Sequence, residues 1–542
     1  MWSVWLSVIS LLIVISTHWV YRWRNPKCNG KLPPGSMGIP LIGETLDFLV
    51  SNNSLDIPPF IKKRMMKFGP IFRTSLAGRP MVVSSDPEFN YYVFQQEGKL
   101  VEQWYMDSFD KLIGQDVMTR VSSHRNIHKY LRNSILSHVG PEALKNKLLP
   151  HLEDAISQKL QGWSKLPSLE VRKSLAIMIF KLTAKLLMSY DAEKSGDNID
   201  DFFSNFMEGF MKLPINIPGT AYHKCLQNRQ KLVNLMTKIY EERKRNPEIG
   251  KGDFLDQILM DMKTETFLTD KFIIYVMFGI LLASFETMSS TLTLAIMLLS
   301  DKPKMVKELT EEHEAILKSR EDANSGLTWK EYKSMTFTHN VVNESLRLAS
   351  VLPGILRKTI QDIEVNGYTI PKGWCLMVVP SAIQLNPNIY EDPLSFDPWR
   401  WQGISANVTA KNFIPFGAGM RTCAGADFSK VFMGVFLHVL VTKYRWTIIK
   451  GGEVMRTPAL GFGDGIHIQG ISANVTAKNF IPFGAGMRTC AGADFSKVFM
   501  GVFLHVLVTK YRWTIIKGGE VMRTPALGFG DGVHIQVLTK HA

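Results

Sequence analysis

One cysteine, with the residues on either side of it, constrains this chain more than any other feature. The stretch Phe416-Gly-Ala-Gly419-Met-Arg421-Thr-Cys423-Ala-Gly425 runs into an apolar helical segment from Phe428 to Val441. A cysteine just ahead of a helix meets the positive end of the helix dipole, which favours thiolate. Gly417 and Gly419 let backbone N–H groups come close to the sulfur and share its charge. Phe416 can wall the sulfur from water, and Arg421 can meet a carboxylate in a charge-assisted bond. Gly425 has no side chain, so a flat ligand can approach the helix there. A lone cysteine is more commonly a buried, inert thiol. Here ten consecutive positions are chemically coherent, and Cys423 reads as a metal ligand.

The same segment occurs twice. Residues Gly403–Gln469 recur as Gly470–Gln536, identical except that Ile466 becomes Val533. A solenoid needs three or more diverged units, so two near-identical copies read as a recent duplication or a gene-model error. Cys423 and its counterpart Cys490 then compete for one ligand position. Using Cys490 means looping out a whole copy, a closure that costs on the order of 4 kcal/mol. The expected ligand is therefore Cys423, with Cys490 as the alternative.

Residues Met1 to Val20 are almost wholly apolar, and Arg22, Arg24, Lys27 and Lys31 follow at once. A run of about 20 such residues spans a bilayer. Charge after the run, rather than before it, distinguishes an anchor from a cleaved signal peptide. The positive-inside rule then keeps the rest of the chain cytoplasmic. Trp2, Trp5, Trp19 and Trp23 sit near the ends of the run, as interfacial residues do. The chain divides into an anchor at 1–21, a basic and proline-rich hinge at 22–40, a body at 41–469, the second copy at 470–536 and a tail at 537–542.

Five cysteines without a CxxC pair fit a reducing compartment, not a disulfide framework. The net charge is +14, but lysine and arginine are spread along the chain without a nucleic-acid motif. The basicity fits an acidic protein partner or a membrane surface better than nucleic acid. The body from Asp56 to Trp401 is mostly helical, and Phe272–Leu299 is apolar nearly all round, hence a buried helix. Further helical runs cover Lys302–Lys318 and Trp329–Ser350. Strands are expected at Ile71–Leu76, Pro80–Ser84, Ile363–Val365, Tyr368–Ile370 and Cys375–Val379. Other motif readings fail: Gly417-Ala-Gly419 lacks the third glycine of a dinucleotide site, and His313-Glu314 lacks the second histidine of a zinc helix.

The decapeptide ending at Gly425 matches every fixed position of the haem-binding motif of the cytochrome P-450 family, which this chain resembles over nearly its whole length. The resemblance implies a mainly α fold with small β-sheets and an N-terminal transmembrane helix. It also implies heme b held by a cysteine thiolate, and a monooxygenase reaction fed from NADPH through a cytochrome P-450 reductase at the endoplasmic reticulum membrane. Distant motifs agree. Glu344-Ser-Leu-Arg347 resembles the family's ExxR helix, where i and i+3 share a face, and Arg400 resembles the arginine completing that charge cluster. Ala283-Ser-Phe-Glu286-Thr287 resembles the oxygen-activation motif, making Glu286 and Thr287 the catalytic pair for proton delivery. His128, Arg132 and Arg357 resemble the haem-propionate ligands, with His128 in a position usually held by Trp. Ser284, Met288 and Gln384 depart from the usual Gly, Thr or Ser, and His. Arg125, Lys129 and Lys411 would form the basic face for the reductase.

Leu32-Pro-Pro-Gly-Ser-Met-Gly, Gly219-Thr-Ala-Tyr-His-Lys-Cys225, Thr328-Trp-Lys-Glu-Tyr-Lys-Ser-Met and Asn412-Phe-Ile-Pro-Phe resemble the plant clan that oxidises steroids and triterpenoids and includes brassinosteroid enzymes. The resemblance is closest to its family eighty-seven. It implies an apolar, sterol-like or triterpenoid substrate, by analogy and not by site geometry. Trp104, Tyr105, Phe109, Phe206, Phe210, Leu213, Leu352 and Ile355 are the candidate pocket residues. Two other readings stand beside this one: a haem-thiolate isomerase or dehydratase, and an inactive haem or lipid binder broken by the duplication.

Overall fold

The computed structural model describes residues 2–472 except 192–201, 203, 204, 207, 208, 210–214, 323, 324, 404–410 and 458, and beyond them only strands 511–518, 522–523, 527–528 and 533–539. The chain forms two compact units, Met1–Ala473 and Asn474–Ala542.

The first unit opens with the helix Trp2–Arg24, whose large apolar side chains lie exposed from Trp5 to Tyr21. The proline-rich hinge that follows is held against the body. Arg73 N–H donates to the Pro34 carbonyl at 2.8 Å, Ser36 N–H donates to the Arg73 carbonyl at 3.3 Å, and the Arg73 guanidinium reaches the Pro33 carbonyl at 3.1 Å. A Cβ at Gly35 would stand 2.0 Å from the Arg73 carbonyl oxygen, so only glycine permits this approach.

The helix Asp270–Ser300 is the spine of the fold. Its 31 residues span about 46 Å at 1.5 Å per residue. Thr269 caps it by accepting from Phe272 N–H. It is apolar and long enough to cross a membrane, yet most of it is buried among the helices Val171–Met188, Ala221–Arg245 and Thr336–Ala349. Its buried hydroxyls turn inward to the preceding turn: Thr291 and Thr293 donate to the carbonyls of Thr287 and Ser289, which satisfies them without a partner outside the helix. The helix Ala426–Lys443 also lies within the core, with thirteen buried residues.

A five-stranded sheet runs Ile71–Leu76, Arg79–Ser84, Cys375–Val378, Ile355–Thr359, Val101–Gln103. All its pairings are antiparallel except that between Arg79–Ser84 and Cys375–Val378. The expected strands appear within a residue of their expected ends. Ile355–Thr359 and Val101–Gln103 carry no strand pattern of their own and are strands because they pair with this sheet. Gln103 there stands opposite Arg357.

A second sheet joins Leu169–Glu170, Ile466–Ser472 and Tyr444–Gly451. Its middle strand crosses the junction between the copies: Gly470, Ile471 and Ser472 pair with Trp446, Arg445 and Tyr444. In the C-terminal unit, Val537, Leu538 and Thr539 hold the same registers against Trp513, Arg512 and Tyr511. The first three residues of the second copy thus complete a strand begun by the first.

Candidate active site

The cysteine loop is closed by its own backbone. Cys423 N–H donates to the Phe416 carbonyl at 3.0 Å, and Gly417 N–H to that of Ile414 at 3.1 Å. Gly419 has φ 71°, and a Cβ there would lie 2.3 Å from the Phe94 carbonyl oxygen, so the loop passes where no other residue fits. Phe416 is half-buried under Lys430. A Cβ at Gly425 would meet only the Cys423 Sγ, at 3.9 Å. Cys423 itself is exposed, yet the protein crowded round its sulfur raises the thiol pKa by desolvation, against the Gly425 N–H and the Arg132 cation, which pull it down. Cys423 is therefore reachable, and it lies just ahead of the N-terminus of Ala426–Lys443.

Cationic side chains converge beside this loop. Arg132, from the helix Arg125–Val139, bonds the Thr422 carbonyl. Arg421 is anchored four times: to Glu97 Oε1 at 3.0 Å, to Gln103 Oε1 at 3.0 Å, and to the carbonyls of Val121 and Ser122, each at 3.0 Å. Arg357 approaches Glu97 Oε2 at 2.8 Å. Burial, then the cations of Arg421, Arg132 and Arg357, push the His128 pKa down to about 4, so His128 is neutral near pH 7. The carboxylate foreseen for Arg421 is Glu97, which the sequence alone did not single out: Gln95-Gln-Glu-Gly98 reads as an exposed polar turn. Its only local signal is an acid two residues after Gln95 at a helix end.

Glu344 and Arg347 are fully buried, and the Arg347 guanidinium donates to both oxygens of the Glu344 carboxylate, at 2.7 and 2.8 Å. Arg400 Nε, Asp397 N–H and Trp401 Nε1 donate to the same carboxylate at 2.9, 3.0 and 2.9 Å. Arg347 also donates to the carbonyls of Gln384, Pro393 and Ser395. Gln384, unusual at its position, is a buried clasp: its amide donates to the Arg347 carbonyl at 3.1 Å and to Ser350 Oγ at 2.8 Å, and accepts from Ile414 N–H at 3.1 Å. It ties the end of the Thr336–Ala349 helix to the segment leading into the cysteine loop.

On the spine helix, Ala283 is exposed and Ile280, Ser284 and Thr287 are partly so, an open strip on a mostly buried element. Thr287 Oγ donates to the Ala283 carbonyl at 3.1 Å, which leaves its oxygen free to accept. Glu286 points elsewhere: Arg172 bonds its Oε1, and its buried Oε2 has no hydrogen-bond partner. Acid and alcohol are adjacent in sequence, but 100° of helical rotation separates them.

Among the pocket candidates, Trp104, Tyr105 and Phe109 are half-buried, with Tyr105 and Phe109 stacked at 5.2 Å. Ile355 is half-buried and Leu352 exposed. Phe206 is core, buried edge-on against Phe278 at 5.9 Å. Phe210, Leu213 and Cys490 lie outside the described residues. Arg125 and Lys129 are exposed, while Lys411 is held by Glu88 at 2.7 Å, so among the described residues two of the three basic-face candidates have no ion-pair partner. Among the described residues no group of three or more His, Cys, Asp or Glu could hold a metal by itself.

The cytochrome P450 family model matches residues 33–465 and 467–532, and the chain belongs to that family of haem-thiolate proteins. It is a monooxygenase. Cytochrome P450 87A3 of Oryza sativa subsp. japonica is 49% identical over 456 residues, 83% of this chain and 88% of that one. Cucurbitadienol 11-hydroxylase of Siraitia grosvenorii is 46% identical over 469 residues, 86% of this chain and 99% of that one. Beta-amyrin 16-alpha-hydroxylase of Maesa lanceolata is 46% identical over 479 residues, 88% of this chain and 100% of that one. These alignments use the full length of two relatives and leave over about one copy of the repeat. Among solved structures, retinoic acid-bound cyanobacterial CYP120A1 superposes with a TM-score of 0.72 at 27% identity, covering 82% of this chain and all of that one.

Proposed function

We propose that this chain hydroxylates a triterpenoid or sterol-like substrate, with heme b bound at Cys423 and electrons drawn from NADPH through a membrane-bound reductase. The observation that carries the haem site is the pairing of one accessible cysteine at a helix start with an excess of arginine beside it. Arg132, Arg357 and Arg421 outnumber Glu97, and that imbalance suits the two carboxylates of a haem. Gly425 leaves the space above the sulfur clear. Haem held by a thiolate supplies reductive activation of dioxygen. The chain's own residues do the rest. Phe416 shields the sulfur, and the Gly425 N–H and Arg132 favour its anionic form. Thr287 offers a hydroxyl on the open strip where a proton is to be placed. Glu286, bonded by Arg172 and turned away from Thr287, is proposed to act on proton delivery only through water. The relatives that act on cucurbitadienol and beta-amyrin support the substrate class, and the aromatic residues Trp104, Tyr105 and Phe109 suit a large apolar ligand.

The exposed apolar helix ending in Arg22 and Arg24 supports a single-pass anchor in the endoplasmic reticulum membrane, catalytic body on the cytoplasmic side. The domain reading is an anchor, a hinge and one catalytic body that uses the first copy. Carbon monoxide difference spectra of membranes carrying the chain test the haem site. Turnover of cucurbitadienol, beta-amyrin and cholesterol with NADPH and reductase tests the rest. A thiolate spectrum with no product from any of the three rejects the substrate class and leaves the haem site standing.

A further inference from the structure

Three guanidiniums and a histidine crowd one side of the cysteine loop, and like charges in a buried setting repel strongly. The Arg132, Arg357 and Arg421 cations all lie close enough to His128 to press its pKa down, after burial. Among the described residues, one carboxylate is in ion-pair contact with these arginines. Glu97 is 5% exposed and lies between two of them, with Oε1 on Arg421 at 3.0 Å and Oε2 beside Arg357 at 2.8 Å. Its own place is set by Gln103 N–H, which donates to Oε1 at 3.1 Å. Gln103 is also the residue opposite Arg357 in the sheet and an acceptor for Arg421. The Arg357 contact is close but out of line: both Arg357 Nε and Glu97 Oε2 are buried with no aligned hydrogen bond. Charge, not a directed bond, holds that side together.

We propose that Glu97 is a positioning residue for the prosthetic group. It fixes the Arg357 and Arg421 guanidiniums from behind and reduces the local excess from three cations to two, the charge of a dicarboxylate tetrapyrrole. The inference rests on the reading of Cys423 as a haem site. A residue that only filled space would serve as well without its charge. A counter-ion would not, because a buried negative charge near a metal centre disfavours addition of an electron.

The experiment compares wild-type chain with Glu97→Gln, Glu97→Asp and the double variant Glu97→Gln/Arg357→Gln, each reconstituted with haem. The readout is the ferric/ferrous midpoint potential of the loaded fraction. Glu97→Gln raises the potential, Glu97→Asp stays close to wild type, and the double variant, which restores the excess of two, returns toward it. A Glu97→Gln potential equal to wild type, or an Asp variant displaced as far as the Gln variant, overturns the proposal. Should Glu97→Gln take up no haem, Glu97→Asp decides: loading at wild-type potential supports the charge, and failure to load overturns it. A wild-type chain that binds no haem rejects the haem site itself, a separate result.

Discussion

Arg456 donates from its guanidinium to the Leu348 carbonyl at 2.7 Å, and the same side chain reaches the carbonyls of Ala349 at 2.9 Å and Ser350 at 3.1 Å. A buried arginine, bonded to no carboxylate among the described residues, thus ends the Glu344–Arg347 helix, where the negative end of the dipole faces a cation. Burial lowers its pKa to about 10, which leaves it charged at neutral pH. Arg456 Nε also donates to the Leu55 carbonyl at 3.3 Å, so Arg456→Met strands four carbonyls. The expected loss is on the order of 3 kcal/mol, read as a lower denaturation midpoint in urea. An unchanged midpoint means that water replaces the guanidinium.

Glu344 answers five donors, three of them on arginines. Glu344→Gln leaves the buried Arg347 charge without its counter-ion, at a cost of about 3–5 kcal/mol. The expected result is chain that accumulates without haem. A loaded, stable Gln variant refutes the account of the cluster.

Thr287→Ala removes the one hydroxyl that bonds the Ala283 carbonyl on the open strip. NADPH oxidation continues in the variant while product per NADPH falls by roughly tenfold or more, with hydrogen peroxide making up the difference. Unchanged coupling between NADPH and product removes Thr287 from proton placement.

His313 and His438 touch through their Nδ1 atoms at 3.0 Å, both buried. Glu153 lies 3.9 Å from His438 Nε2, Thr338 faces His313, and Arg320, Lys443 and Glu331 act on His438 at longer range. Desolvation lowers the His438 pKa to about 4 and the His313 pKa well below its usual value, the latter helped by His438. The folded values lie below the unfolded ones, so the unfolded chain binds more protons as the medium is acidified. The stability is fully present above about pH 6.5 and is lost as the pH falls toward about 4, by roughly 3 kcal/mol for His438. Denaturation midpoints between these limits measure it. His438→Gln flattens the slope, and an equal slope in the variant assigns the effect to other groups.

The two copies make the last prediction. Joining Gln469 directly to Val537 places Val537–Thr539 where Gly470–Ser472 now pair, in the register already seen for Trp513, Arg512 and Tyr511. Valine suits a strand better than glycine, so the single-copy chain folds at least as stably as the full chain and takes up haem fully. In the full chain, Cys423→Ala abolishes the haem-thiolate spectrum and Cys490→Ala spares it. The reverse pattern assigns the ligand to Cys490.

Covalent neighbourhood was enough to read much of this protein. The apolar run with charge after it, the all-round apolar helix, the decapeptide at Cys423 and the i,i+3 pair Glu344–Arg347 are local patterns whose period or spacing carries the physics. The strands that alternate or sit between turn residues were legible for the same reason. Partners distant in sequence were not. Glu97 meets Arg421 across 324 positions, Arg172 meets Glu286 across 114, and Arg456 meets Leu348 across 108. Nothing in an isolated Glu, Arg or Gln says which charge it will neutralise, because an ion pair depends on through-space distance and burial, and folding alone sets both. The strand Ile355–Thr359 and the clasp at Gln384 belong here too. Each takes its role from a neighbour supplied by another part of the chain: one pairs with a sheet, the other saturates buried carbonyls and N–H groups that only the packed helices bring within reach.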